Sequence, residues 1–194
     1  LLSFGFVSAL YFATNGMNAL ITAFNATELT YDNRNWFQRR GIAFILLIIF
    51  STLIIISISL LIFSRSFFNF LIEQDIIKTK ILLYLLILAK WLIILSSFFF
   101  SISFLYYFAP ARKSKFRIFS AGSTTATILV LLISLGFSYY VNHFGQYNKV
   151  YGSLGTLIVI MLWIYFNSLA LLIGYELNWS IRHTKNKKQT EKVP

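Results

Sequence analysis

YGSLGTLIVIMLWIYFNSLALLIGYELN, residues Tyr151 to Asn178, decides the solvent in which this chain folds. As a helix rising about 1.5 Å per residue, its 28 residues reach roughly 42 Å, more than the ~30 Å hydrocarbon core of a bilayer. Its interruptions are mostly small or polar: Gly152, Gly155, Asn167, Ser168, Gly174 and Glu176. In lipid, such groups need protein neighbours. Gly155, Val159, Trp163, Asn167, Ala170 and Gly174 recur every three or four residues and so form one seam of the helix. Tyr151, Gly152, Gly155 and Gly174 are expected to serve helix packing, because small residues let backbones approach. Glu176 falls on the opposite side with Tyr165, Leu169 and Leu172. The expectation is that Glu176 is buried near one membrane face, partnered by Arg182 or the basic residues at 112 to 117, as a structural salt bridge or as a proton-coupling group.

The rest of the chain repeats the signal. Hydrophobic residues make up 58% of its 194 positions, against roughly 45–50% in a soluble domain, and the mean hydropathy is +0.73. Apolar segments run from about 1 to 24, 41 to 64, 80 to 107, 118 to 141 and 153 to 180. Each is too long and too uniformly apolar for a barrel strand, and backbone satisfaction in lipid then requires helices. The predicted fold is all-α, a polytopic transmembrane helical bundle forming a single domain over 1–181, followed by a basic cytoplasmic tail at 182–194. Without cysteines, disulfides and thiolate chemistry are excluded. The two histidines, His143 and His183, are too few for a zinc site unless carboxylates help. No cofactor or metal is expected.

Orientation follows from the basic residues. Alternate connections place 12 Lys and Arg on one side and 4 on the other, with Lys90 inside the third segment. The positive-inside rule makes the richer side cytoplasmic. This distribution also accounts for the net charge of +11 without a nucleic-acid partner. It places Leu1 on the far side, within an apolar run lacking an initiator Met, so we expect a preceding helix and six spans in an intact protein, against five here.

Polar groups inside the spans are the candidate functional residues. Ser8, Tyr11, Asn15, Asn18, Thr22 and Asn25 lie on one helix face, where they can bond neighbouring helices or line a route for substrate. Lys90 either snorkels or faces the bundle, since a charge at mid-bilayer costs about 2.5–3.5 kcal/mol. Arg65 to Lys80 mixes aromatic, aliphatic and charged residues, which predicts an interfacial helix. Tyr106, Tyr107 and Phe108 before Pro110, and the aromatics of 139–151 around His143, are expected at the interface.

The 151–178 stretch, with Phe144-Gly145-Gln146-Tyr147-Asn148, Pro110 before a basic cluster and Ala121-Gly122, and Asn18-Ala19-Leu20-Ile21-Thr22-Ala23-Phe24-Asn25, resembles the YihY/BrkB family of bacterial inner-membrane proteins, once labelled ribonuclease BN-like. The resemblance covers nearly the whole chain. It extends to the closing Gly174, Glu176 and Asn178, but Tyr175 stands where the family commonly has a small residue. It implies a multi-pass inner-membrane protein without a settled activity.

Three functional classes follow. Asn15, Asn18, Asn25, Lys90, Asn167, Glu176 and Asn178 suggest transport or translocation of a small molecule, ion or lipid. The alternative is a non-transporting envelope scaffold associated with virulence, its polar groups serving packing. Ribonuclease activity is disfavoured, because metal-dependent hydrolysis needs converging carboxylates and only Glu28 and Asp32 fall close together on the cytoplasmic side. Expected partners are the lipid bilayer and either a second copy of the chain or another envelope protein.

Overall fold

The computed structural model describes residues 2–28, 32–73, 80–111, 119–144 and 153–190. Among these residues there are five helices: α1 (Leu2–Thr27), α2 (Trp36–Glu73), α3 (Lys80–Phe108), α4 (Ala121–Phe144) and α5 (Ser153–Thr190). Four of them carry stretches long and apolar enough to cross a membrane, at Trp36–Ser64, Ile81–Phe108, Ala121–His143 and Leu154–Lys185. The chain is therefore an all-helical, multi-pass membrane protein. Five spans is one more than these helices support. α1 has the length, at 26 residues, but Thr14, Asn15, Asn18, Thr22 and Asn25 dilute its apolar content.

The helix starts are written locally. Asn35 precedes α2 and its amide donates to Gln38 Oε1 at 3.1 Å, half of a capping box. Ser120 precedes α4 and exchanges reciprocal bonds with Ser123: the Ser123 amide donates to Ser120 Oγ at 3.1 Å and the Ser120 amide to Ser123 Oγ at 3.3 Å. Pro110 ends α3 because its ring cannot continue the helical bonding.

Two segment boundaries differ from the sequence expectation. Residues 65–73 continue α2 instead of forming a separate interfacial helix, since no Gly or Pro between 42 and 73 breaks the run; residues 74–79 lie outside the described residues. The tail likewise continues α5 as far as Thr190.

The helices pack in chain order, α1 on α2, α2 on α3, α3 on α4 and α4 on α5, and α5 returns to α1. The core sits at one end of this ring: Met17, Ile21 and Phe24 from α1, Ala43 and Leu46 from α2, Ile102, Leu105 and Tyr106 from α3, Ala126 from α4 and Tyr175 from α5. Tyr106 thus belongs to the core and not to an interfacial belt. At the other end the packing is loose. Between residues 156 and 166 of α5, only Val159 is other than exposed.

Candidate functional site

The packed end is closed by three aromatic rings from three helices. Phe24 stacks on Tyr175 with centroids 4.4 Å apart, and Tyr106 meets Phe24 at 5.6 Å and Tyr175 at 5.5 Å, both edge-on. Such pairs contribute about 0.5–1.5 kcal/mol beyond their burial. Each tyrosine hydroxyl finds an acceptor. Tyr106 Oη donates to the Leu171 carbonyl at 2.6 Å and Tyr175 Oη to Glu28 Oε1 at 2.6 Å.

Glycine makes this possible at the crossing of α4 and α5. A Cβ on Gly174 would lie 2.6 Å from Tyr106 Oη, the Gly122 carbonyl and Ala126 Cβ, and one on Gly122 would lie 2.0 Å from the Gly174 carbonyl. The Gly122 amide, left without an intrahelical acceptor in the first turn of α4, donates to Asn178 Oδ1 at 2.7 Å. Asn178 Nδ2 donates to Ser120 Oγ at 2.9 Å, so one side chain of α5 completes the cap of α4.

Two carboxylates anchor the connections around the rings. Glu28 Oε1 also faces Arg182 Nη1 at 3.2 Å. Asp32 Oδ1 accepts from Arg34 Nε at 2.8 Å and from the Arg34 amide at 3.0 Å, an Asx turn that leaves Arg34 Nη2 to donate to the Ala109 carbonyl at 2.8 Å. Asp32 Oδ2 accepts from Asn25 Nδ2 at 3.0 Å and lies 3.0 Å from Arg39 Nε. Asn25 Oδ1 in turn accepts from the Ala111 amide at 2.8 Å. Burial of the Asp32 side chain, 3% exposed, works to raise its pKa. The hydrogen bonds from Arg34 and the charges of Arg34 and Arg39 outweigh it and hold the carboxyl below its ordinary range.

The sequence candidates divide accordingly. The three rings, the α4–α5 crossing and the Glu28 and Asp32 ion pairs together form a latch, and Asn25, Asn178 and Gly174 converge on it. Asn15 is exposed and accepts from Arg40 Nη1. Asn18 is half-buried, its Oδ1 buried without a hydrogen-bond partner. Asn167 lies on the seam of α5, where Gly155, Ala170 and Gly174 are buried; its Nδ2 donates to the Trp163 carbonyl at 2.7 Å while its Oδ1 is buried and unpartnered. Lys90 faces α2, its Nζ 3.4 Å from Ser64 Oγ. Tyr151 and Gly152 lie outside the described residues. The burial expected of Glu176 is corrected. It is exposed, as a position opposite the packing seam must be, and Arg182 pairs with Glu28 instead.

Tyr106, Tyr175, Arg34 and Gly122 were not among the sequence candidates. The Asp32-Asn33-Arg34 turn had a local signal, an Asx residue able to bond a backbone amide two positions on. The tyrosines had none, since membrane tyrosines also serve as interfacial anchors. Among the described residues no group of three His, Cys, Asp or Glu could hold a metal ion.

Two cavities lie between the helices, one away from this framework and one beside it. One of about 280 Å³ between α4 and α5 is lined by Ser134, Phe137, Ser138, Val141, Asn142 and Trp163, and Trp163 Nε1 donates to Ser134 Oγ across it at 3.3 Å. The other, of about 170 Å³, is lined by Asn18, Arg34, Trp36, Arg39 and Arg40.

No solved structure matches the chain. Among curated proteins, the ribonuclease-like protein YfkH of Bacillus subtilis is 32% identical over 195 residues, a match covering 98% of this chain and 69% of that protein. A UPF0761 membrane protein of Tolumonas auensis is 35% identical over 68 residues, 32% of this chain and 22% of that protein. Another, from Idiomarina loihiensis, is 36% identical over 88 residues, 45% of this chain and 31% of that protein. The matched stretches thus span less than a third of either UPF0761 relative. The family described as Virulence factor BrkB matches residues 1–194. With a whole-length match to the family and a relative of this identity and coverage, the chain belongs to the BrkB family of membrane proteins.

Proposed function

We propose that the chain forms the membrane-embedded part of a protein that translocates a small molecule, ion or lipid, loosely packed at one end and held closed at the other by the latch. The observation that carries this reading is the cavity of about 280 Å³ between α4 and α5, which Ser134, Ser138 and Asn142 of α4 line together with Trp163 of α5. Polar groups inside a membrane-spanning stretch, as Ser134 and Ser138 are in Ala121–His143, mark pathways. Asn167, one turn along α5 from Trp163, adds an unpartnered amide oxygen, which in a dry interior costs about 1–3 kcal/mol and which water or cargo would satisfy.

In this reading α1 is a further crossing, its polar face turned to the bundle, and the intact protein has six. The protein lies in the bacterial inner membrane with its C-terminus cytoplasmic, as the 12 to 4 division of basic residues supports. It is not an enzyme. Glu28 and Asp32, the carboxylates that metal-dependent RNA hydrolysis would need free, are engaged by Arg182, Arg34, Arg39, Tyr175 and Asn25.

The chain has no cysteine, so single cysteines at Ser138, Asn142 and Asn167 can be probed with a membrane-impermeant thiol reagent, with Ser114→Cys, within the basic 112–117 cluster, as a control. Labelling at two or more of the three positions supports a hydrated route and directs flux assays in liposomes. Labelling of the control alone overturns it. That second outcome favours a scaffold, a reading supported by the outer half of α5, where residues 156–166 are bare on nearly every face and could seat a second copy or another envelope protein.

A further inference from the structure

The cavity of about 170 Å³ beside α1 and the start of α2 shares Arg34 and Arg39 with the latch and has no role in the proposed route. Three of its five lining residues are arginines, Arg34, Arg39 and Arg40, and the others are Asn18 and Trp36. One carboxylate, Asp32, pairs with Arg34 and Arg39. The chain has five other acidic residues, Glu28, Glu73, Asp75, Glu176 and Glu191, and Glu28 is held by Arg182 and Tyr175. The lining therefore carries an excess of positive charge. Arg40 makes its described contacts with neutral groups: Asn15 Oδ1, the Tyr11 ring 4.5 Å below its guanidinium and the Trp36 ring at 5.7 Å. These contacts fix the plane of the guanidinium while leaving donors for an occupant, since each guanidinium carries five N–H groups.

We propose that this cavity binds a phosphate-bearing anion, supplied either by a phospholipid headgroup or by free phosphate. Guanidinium forks match phosphate oxygens. The volume lies below the roughly 300–1,000 Å³ of drug-sized sites, which suits a group of headgroup size. Position points the same way. Trp36 opens the membrane-spanning stretch Trp36–Ser64, so the cavity sits at the boundary where tryptophans and lipid phosphates both reside. The amide of Asn18, whose oxygen lacks a partner, can turn to offer its Nδ2 to the same anion or accept from a headgroup hydroxyl. This inference does not depend on translocation: a site of this kind serves a transporter or a scaffold equally.

The test is retention of lipid by the purified full-length protein in neutral detergent, read by native mass spectrometry after equilibration with dioleoyl phosphatidylglycerol or dioleoyl phosphatidylcholine, with and without inorganic phosphate. Wild type should retain phosphatidylglycerol preferentially, and Arg39→Gln and Arg40→Gln should each weaken retention by about tenfold, with Arg40→Lys between them and wild type. Asn18→Asp places a carboxylate in the cavity without removing an arginine and should abolish retention, which keeps the test decisive where an arginine variant does not fold. Retention that is insensitive to inorganic phosphate identifies a lipid headgroup. Displacement by inorganic phosphate, or stabilisation by it in the absence of lipid, identifies free phosphate. Equal retention of the two lipids with no phosphate effect, or unchanged retention in Asn18→Asp, overturns the site.

Discussion

Tyr175 Oη donates to Glu28 Oε1 at 2.6 Å, joining the membrane-spanning part of α5 to the end of α1 across 147 positions of sequence. The same carboxylate oxygen faces Arg182 two turns further along α5, so α5 grips one acidic group at two points. This grip closes the ring of helices, and its loss should be felt in stability.

Tyr175→Phe keeps the ring stacked on Phe24 and removes the donor. We expect a loss of about 1–3 kcal/mol, the usual cost of deleting a bond to a charged group. Thermal unfolding of the detergent-solubilised protein measures it. A double-mutant cycle with Glu28→Gln should show the two changes to be less than additive; strict additivity would mean that the bond contributes nothing.

Glycine substitutions should separate by position. Gly122→Ala and Gly174→Ala drive a methyl into backbone and side-chain atoms at 2.0–2.6 Å, and overpacking of this kind costs about 1–3 kcal/mol. Gly136→Ala, where nothing lies within 4 Å, should be neutral or slightly stabilising, since alanine is the better helix former. Equal effects at the three positions would contradict the close crossing of α4 and α5.

Asn178→Ala strips the first turn of α4 of two partners, the acceptor of the Gly122 amide and the donor to Ser120 Oγ. A loss of about 1–2 kcal/mol is expected. Asn178→Asp, which keeps the acceptor and places negative charge at a helix start, should recover most of it. Hydrogen exchange at the start of α4 reads the change locally.

Acid should weaken the latch through Asp32. Its folded pKa is depressed below the ordinary value of 3.8, so its contribution to stability is fully present above that value and is lost as pH falls through the folded pKa. Wild type should therefore lose melting temperature more steeply than Asp32→Asn as pH drops from about 5 towards 2. Asp32→Asn should be the less stable protein at neutral pH, because Arg34 and Arg39 lose their counter-charge. Parallel pH profiles would remove Asp32 from the latch.

Much of this protein was settled by the sequence itself. Long, predominantly apolar runs in α2, α3, α4 and α5 leave a chain in lipid no way to satisfy its backbone except by helices. Pro110 had to end α3, and the seam through Gly155, Ala170 and Gly174 could be read from three- and four-residue spacing because a helix repeats every 3.6 residues. Asn25, Asn178 and Gly174 were also legible, as polar or small groups out of place in lipid. Tertiary structure alone decided which partners they took. Spacing along one helix gives the face on which a residue lies but not the helix that faces it, so nothing in the chain joined Glu28 to Tyr175 and Arg182, or Gly122 to Asn178. The same limit explains Glu176. A carboxylate in an apolar stretch reads as buried, yet rotation of α5 to seat Gly174 and Tyr175 in the core necessarily turns the next residue outward.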